Sequence, residues 1–330
     1  MIDIIGILKL SVSKNASDVH IASKKPVMIR VSGQLMVLLN ESFDSDRIFK
    51  MLSSLLNEDS LAEFQQKLEY DCAISIENLA RFRLHLYYQY DGISAAFRII
   101  SEEIPTLEKI KAPEVIKQLL AKTKGLILIT GATGSGKSTT LAAMIHWLNQ
   151  NKKGHIVTIE DPIEFVHQSQ HCLISQRQLT LHTESVHSAL RAALREDPDY
   201  ILIGELRDLE SIRLALTAAE TGHLVLASMH THSATKTIDR LIHVFDPYEQ
   251  AMIRMMLSES LEAVITQQLV KQQDLTQLAA FEVLIATPAI RNLIRENKTP
   301  QMHSVIQMGR KEGMQTMQQS LEILKQASLC

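Results

Sequence analysis

The sequence predicts an α/β fold with a largely parallel sheet, on three observations. Apolar strand-like runs at 126–130, 156–160, 200–204 and 223–228 alternate with helical patterns, the signature of strands buried between helices. The first run, Leu126-Ile127-Leu128-Ile129, leads into Gly131-Ala132-Thr133-Gly134-Ser135-Gly136-Lys137-Ser138, and a helical pattern follows. That is the strand, loop and helix order of a phosphate-binding P-loop. Third, Ser101-Glu102-Glu103-Ile104-Pro105 through Lys111-Ala112-Pro113 is charged and bracketed by prolines. Residues 1–100 are therefore expected to form a smaller α/β domain, 101–113 a linker and 114–330 the larger domain.

In chain order, Val27-Met28-Ile29-Arg30-Val31, Gln34-Leu35-Met36-Val37-Leu38 and Arg81-Phe82-Arg83-Leu84-His85-Leu86-Tyr87 read as strands, the first two joined by a turn at Ser32-Gly33. Arg47 to Leu56 and Leu61 to Leu68 read as short helices. Beyond the P-loop, Leu141, Met144, Ile145 and Leu148 recur at helical spacing, so a buried helix is expected there. A further helix, opened by Asp246-Pro247-Tyr248-Glu249, is expected to run on past Leu261.

At 330 residues with 45% hydrophobic side chains the chain can bury a sizeable core, and its formal charge of −3 offers nucleic acid no general attraction. Cys72, Cys172 and Cys330 are far apart with no Cys-x-x-Cys pair, which speaks against a zinc or redox couple and for a reducing compartment. The opening residues, Met1-Ile2 through Lys9, lack the basic region and cleavage site of a signal peptide, and no apolar run is long enough to span a bilayer. A cytoplasmic protein that reaches a membrane only through partners is expected.

The loop's chemistry suits phosphate. Gly131, Gly134 and Gly136 let the backbone curl until the N–H groups around Thr133 and Ser135 point inward, and the helix N-terminus adds positive dipole. Lys137 would then meet the β- and γ-phosphates, Ser138 would offer its hydroxyl to Mg²⁺, and Thr139 completes the candidate phosphate-binding set. Two other strand-like runs end in acids, Glu160 and Glu205. Ligands of parallel α/β sheets lie beyond the carboxyl ends of the strands, so both acids are expected at one nucleotide. Glu205 is the candidate general base or water-orienting group, and Glu160 a second acid near the Mg²⁺ shell, with the two roles exchangeable. Gly204 stands where a metal-binding Asp is common. Locally, such acids can also be simple helix caps. His223 and His230 flank Leu224 to Met229; a histidine at a sheet rim can read the γ-phosphate, while local chemistry has Gly222 ending a helix and His223 capping it.

Taken together, these motifs resemble the secretion ATPase superfamily and, within it, the PilT family of type IV pilus retraction ATPases, from Ser17-Asp18-Val19-His20 almost to the C-terminus. Gly131 to Ser138 looks like the family Walker A, and Thr158-Ile159-Glu160-Asp161-Pro162-Ile163-Glu164-Phe165 like its Asp box. Ala193 to Asp199 with Gly204-Glu205-Leu206-Arg207-Asp208 looks like its Walker B region, and Thr221-Gly222-His223 through His230-Thr231 like its His box. The resemblance implies a RecA-like P-loop ATPase domain preceded by a PAS-like domain, ATP with Mg²⁺, and a homo-hexamer in which nucleotide lies between the N-terminal domain of one subunit and the RecA-like domain. It implies nucleotide roles for both His223 and His230. It also implies arginines supplied from the N-terminal domain, for which Arg81, Arg83 and Arg98 are the candidates; on composition alone they could equally be solvated strand charges.

Ala289-Ile290-Arg291-Asn292-Leu293-Ile294-Arg295-Glu296 looks identical to a signature of family retraction motors. Read locally, Thr287 and Pro288 open an amphipathic helix with Ile290, Leu293 and Ile294 as its apolar stripe and Arg291 and Arg295 on another face; truncating Leu293 or Ile294 is expected to spare nucleotide binding and weaken coupling to a filament. The tetracysteine element of extension and type II secretion ATPases is missing. By resemblance the partners are an inner-membrane platform protein and a second pilus ATPase, with no direct nucleic acid contact, at the cytoplasmic face of the inner membrane. Departures from the family pattern fall at Gln176-Arg177-Gln178, where Gln-Arg-Glu is common, at Ala227-Ser228 and His232, and at Tyr88-Gln89-Tyr90. A retraction motor leads. An accessory ATPase with little activity of its own, and a P-loop kinase or DNA translocase, remain as alternatives.

Overall fold

A computed structural model describes residues 3–100, 103–271 and 277–326. Met1, Ile2, Ser101, Glu102 and Cys330, which entered the sequence readings, lie outside them. The chain divides into two compact units, residues 1–103 and 104–330.

The first unit runs α1 (Ile4–Ser13), β1 (Asp18–Ala22), β2 (Pro26–Val31), β3 (Gln34–Ser42), α2 (Ser45–Leu52), α3 (Glu58–Lys67), β4 (Glu69–Ile76), β5 (Ala80–Gln89) and β6 (Gly92–Ile100). Its strands form one antiparallel sheet in the order β3-β2-β1-β6-β5-β4. The β2–β3 turn has positive φ at both Ser32 (50°) and Gly33 (84°), as a two-residue hairpin between right-twisted strands requires. Asp44 and Asn57 cap α2 and α3 by accepting hydrogen bonds from Arg47 and Ser60 N–H, so both helices begin and end earlier than their apolar residues alone indicate. Alternation decides the packing: Val19, Ile21, Val27, Ile29, Phe82, Leu84, Leu86 and Phe97 point to the face covered by Ile7, Leu8, Ile48, Leu52 and Phe64 of the helices.

The second unit runs α4 (Val115–Leu120), β7 (Gly125–Thr130), α5 (Lys137–Asn151), β8 (His155–Glu160), β9 (Leu173–Gln178), α6 (Val186–Ala193), β10 (Tyr200–Ile203), α7 (Leu209–Glu220), β11 (Leu224–Met229), α8 (Ala234–His243), α9 (Pro247–Ser260), β12 (Leu261–Lys271), β13 (Gln277–Ile285), α10 (Pro288–Arg295), α11 (Met302–Met308) and α12 (Met317–Gln326). Its sheet has the order β13-β12-β7-β11-β10-β8-β9. All neighbours are parallel except β12 and β13. Continuous apolar strands bury both faces: Leu126 and Leu128 pack with Leu190, Ile212 and Leu216 on one side, Ile127 and Ile129 with Leu141, Met144, Ile145 and Leu148 on the other.

One expectation is corrected here. The helix opened at Asp246 does not pass Leu261; α9 stops at Ser260 and Leu261 already pairs with Leu126 of β7. Arg291 ends it, donating from Nη1 to the Ser258 and Glu259 carbonyls (2.8 Å each) and from Nη2 to Glu262 Oε1 (3.0 Å). Its cation meets the negative end of the helix dipole, and the β-branched Val264-Ile265-Thr266 then extend as a buried strand.

Candidate active site

Register places the candidate groups. Because β7, β11, β10 and β8 are parallel neighbours, their carboxyl ends lie side by side, and they carry in spatial order the P-loop, His230, Glu205 and Glu160. Residues far apart in sequence thus line one rim of one sheet.

The loop is built for close approach. Gly131, Gly134 and Gly136 have φ of 147°, 75° and 86°, a region side chains disfavour. A Cβ on Gly131 would stand 2.4 Å from Gln267 O and 2.5 Å from Ser135 Oγ, and one on Gly136 would stand 2.8 Å from Gln267 Nε2. Gln267 of β12 therefore forms the wall behind the loop. Its Oε1 also accepts from Thr140 Oγ1 of α5 at 2.7 Å. Ser135 Oγ is buried without a hydrogen-bond partner among the described residues, an orphan donor that a phosphate oxygen would satisfy. Lys137 and Ser138 begin α5, with Ser138 exposed and Thr139 partly so. The residues present fit a nucleotide phosphate.

Lys137 Nζ donates to the carbonyls of Gly131 and Ala132, 3.0 Å each, and reaches His230 Nδ1 at 3.3 Å. Thr133 Oγ1 lies 3.5 Å from the same Nδ1. With Nδ1 accepting, the imidazole proton sits on Nε2, which is 3.1 Å from Glu205 Oε2. Arg207 Nη2 donates to that same oxygen at 2.8 Å. Burial pushes the Lys137 amine below its ordinary range while the Glu205 and Glu164 charges pull it back up. Burial raises the Glu205 carboxyl, but Arg207 and His230 outweigh it and hold the group below the usual carboxylate range. The His230 imidazole thus bridges the Lys137 amine and the Glu205 carboxyl.

Glu160 Oε1 accepts from Thr158 Oγ1 (2.6 Å) and Gln176 Nε2 (3.0 Å). The missing Asp at Gly204 has a steric reason: a Cβ there would stand 3.2 Å from Ile159 O and 3.3 Å from Glu160 Cα, so a side chain would crowd the end of β8. Gln178 accepts from Ile163 N–H through Oε1 at 3.2 Å, a bond that a glutamate oxygen makes equally well. Among the described residues no cluster of three His, Cys, Asp or Glu side chains could hold a metal ion unaided. Magnesium suits such a rim, since it binds through substrate phosphates, water and one or two protein oxygens.

His223 needs correction. It precedes β11, whose first residue Leu224 pairs with Gly125, whereas the P-loop follows Thr130, the partner of Met229. It therefore lies at the opposite rim, about a strand's length or ~20 Å away. There His223 Nδ1 takes a 2.9 Å contact to Ala218 O at the end of α7, the capping role its local sequence suggested.

Arg81, Arg83 and Arg98 belong to the first unit. Arg81 and Arg83 alternate with the buried Phe82 on β5, and Arg98 of β6 is directly paired with Arg83, so all three share the sheet face turned away from the helices. Arg98 Nε donates to Asp18 Oδ1 at 3.0 Å, Arg83 Nε lies 3.9 Å from Asp71 Oδ1, and Arg81 Nη1 donates to Ser75 Oγ at 3.4 Å. Sequence reasoning gave no role to Arg207, although it lies two residues from Glu205, nor to Gln267, whose polar Thr266-Gln267 pair inside a buried strand was the available signal.

Residues 2–328 match the family model described as Type II/IV secretion system protein. The chain is 49% identical to the type IV pilus retraction ATPase PilT of Pseudomonas aeruginosa, over 97% of this chain and 93% of that one. It is 48% identical to a twitching motility protein of Neisseria gonorrhoeae, over 99% of this chain and 87% of that one. Among solved structures, the pilus retraction motor PilT with bound ADP superposes with a TM-score of 0.91 at 40% identity, covering 100% of this chain and 95% of the other.

Proposed function

The chain belongs to the type II/IV secretion system protein family, and within it to the PilT-type pilus retraction ATPases; from that premise we propose that it is a motor that hydrolyses ATP at the P-loop rim to retract a type IV pilus-like filament and so drive twitching motility. The observation that carries the reading is the continuous set of contacts from Glu205 through His230 to Lys137 and Thr133. The acid that would activate water and the loop that would hold the phosphates are thus joined through one imidazole.

In this assignment the loop N–H groups from Gly131 to Gly136, with Thr133, Ser135 and Thr139, cradle the phosphates, and Lys137 offsets their charge. Glu205 takes the proton of the attacking water as general base, and His230 reports whether the γ-phosphate is in place. Ser138 would hold Mg²⁺, with Glu160 and Glu205 close to its water shell, and the ion when bound would neutralise charge growing on the phosphate oxygens. Arg81, Arg83 and Arg98 would bring guanidinium groups to those oxygens from the N-terminal domain, supported by the sheet face they share. A homo-hexamer docked on an inner-membrane platform protein and working beside a second pilus ATPase is the assembly this chemistry serves. No helix among the described residues is long and apolar enough to cross a membrane, so association with the cytoplasmic face would run through those partners.

The test is steady-state ATP hydrolysis by the purified full chain against Lys137→Ala and Glu205→Ala. Each substitution is expected to lower kcat by about 10²-fold or more, Glu205→Ala with nucleotide affinity retained. Wild-type turnover no faster than either variant would leave only an accessory binding role.

A further inference from the structure

Arg207 lies two residues beyond Glu205, yet its side chain turns back to it, donating from Nη2 to Oε2 at 2.8 Å. His230 Nε2 lies 3.1 Å from the same oxygen. Two donors therefore converge on Oε2, and Oε1 is the oxygen left to accept a proton. The surrounding backbone is already fixed. Leu206 N–H donates to Ser228 O at 2.9 Å, and Ser228 Oγ donates to the Gly204 carbonyl. What freedom remains belongs to the Glu205 side chain, and its rotamers would swing either oxygen toward the P-loop. The hydrogen bond to Glu205, and more weakly the Asp161 charge, favour the guanidinium cation. The Arg207 side chain is 67% exposed while that of Glu205 is 22%, so the cation approaches the acid from the solvent side.

We propose that Arg207 is a positioning residue for hydrolysis: by holding Oε2 of Glu205 beside His230, it locks the carboxylate in the rotamer that presents Oε1 to the attacking water. This role rests on Glu205 being the base. It follows from geometry more than from charge, because the arginine's field lowers the basicity of the acid it holds, and the gain lies in alignment. A misplacement of about 1 Å in a catalytic group can lower a rate by ~10²-fold.

The experiment measures kcat and KM for ATP, and the affinity of a fluorescent ADP analogue, on the full chain carrying Arg207→Ala, Arg207→Lys, Glu205→Gln, or Arg207→Ala with Glu205→Gln. Arg207→Ala is expected to lower kcat by roughly 10- to 100-fold with KM and ADP affinity within about twofold of wild type. Arg207→Lys should recover part of the loss, since an ammonium can still engage Oε2. The double variant should be no slower than Glu205→Gln alone, because a positioning group has nothing left to position. Turnover at or above wild type in Arg207→Ala, a raised KM with unchanged kcat, or multiplicative losses in the double variant would each overturn the proposal. Wild-type kcat in Glu205→Gln would instead remove the base assignment, a separate failure visible in that single variant.

Discussion

His167 follows the Asp box and its side chain is largely buried, with Nδ1 lacking a hydrogen-bond partner among the described residues. Burial, with a smaller contribution from His146, lowers its pKa to about 4 from the ordinary 6.5. The folded chain therefore keeps this imidazole neutral where the unfolded chain protonates it. Between about pH 4 and 6.5 the unfolded state binds the extra proton, so stability falls as pH drops through that window and does not depend on this group above it. The loss at the acid end is on the order of 3 kcal/mol. Chemical denaturation at pH 5 and pH 7.5 should show wild type losing more stability than His167→Leu on acidification; equal losses would show that the ring is solvated. Other single residues divide by whether local chemistry announces their partners. The places of Lys137, Glu160 and Glu205 along one rim were legible because each follows a readable strand. His223 was legible too, as a cap: it precedes Leu224 and so stands at the amino end of its strand, and only the broader resemblance assigned it to the nucleotide at the carboxyl ends.

Elements with their own periodicity were read well: the doubly buried strands β7, β8, β10 and β11 and the helix α5 are continuous apolar runs or clean helical repeats. The end of α9 was not legible, because its apolar residues keep helical spacing into β12 and the group that stops it, Arg291, lies some thirty residues downstream. β1 and β4 escaped for a related reason, as half-polar strands whose pairing, not composition, holds them. The same long-range logic revises the expectation for α10. Ile290 and Ile294 are fully buried, packed in one cluster with Leu257, Met302 and Ile306, while Ala289, Asn292 and Arg295 are exposed. Ile294→Ala should therefore destabilise the whole second unit by about 2–5 kcal/mol, as large-to-small core truncations do. Arg295→Ala should stay within about 0.5 kcal/mol of wild type. Thermal unfolding separates the two, and any contact of this helix with the rest of a pilus machine must then be sought on the Ala289, Asn292 and Arg295 face. If Ile294→Ala melts like wild type, the helix does not pack on the core in solution.

At the scale of the whole chain, hydrolysis as proposed draws on two units with separate cores: the P-loop rim belongs to one, and Arg81, Arg83 and Arg98 to the helix-free sheet face of the other. A guanidinium delivered to a phosphate from another subunit can raise turnover by 10³–10⁵-fold in P-loop enzymes, as general experience with arginine fingers shows. Head-to-tail contacts that close into a ring give every subunit both a donor of arginines and an acceptor. The arrangement makes a mixing prediction. Lys137→Ala subunits keep their arginines but have a disabled phosphate loop, whereas subunits with Arg83→Ala and Arg98→Ala keep the loop and lack the arginines. Each variant alone should be nearly inactive. Mixed and allowed to exchange, they should regain hydrolysis, because some rims will pair an intact loop with intact arginines, and the regain should rise with protein concentration as assembly becomes more complete. Activity in the mixture equal to the average of the two separate variants would mean that loop and arginines act within one chain or not together at all. Normal turnover in the arginine variant by itself would return those side chains to the role of solvated charges on a sheet face.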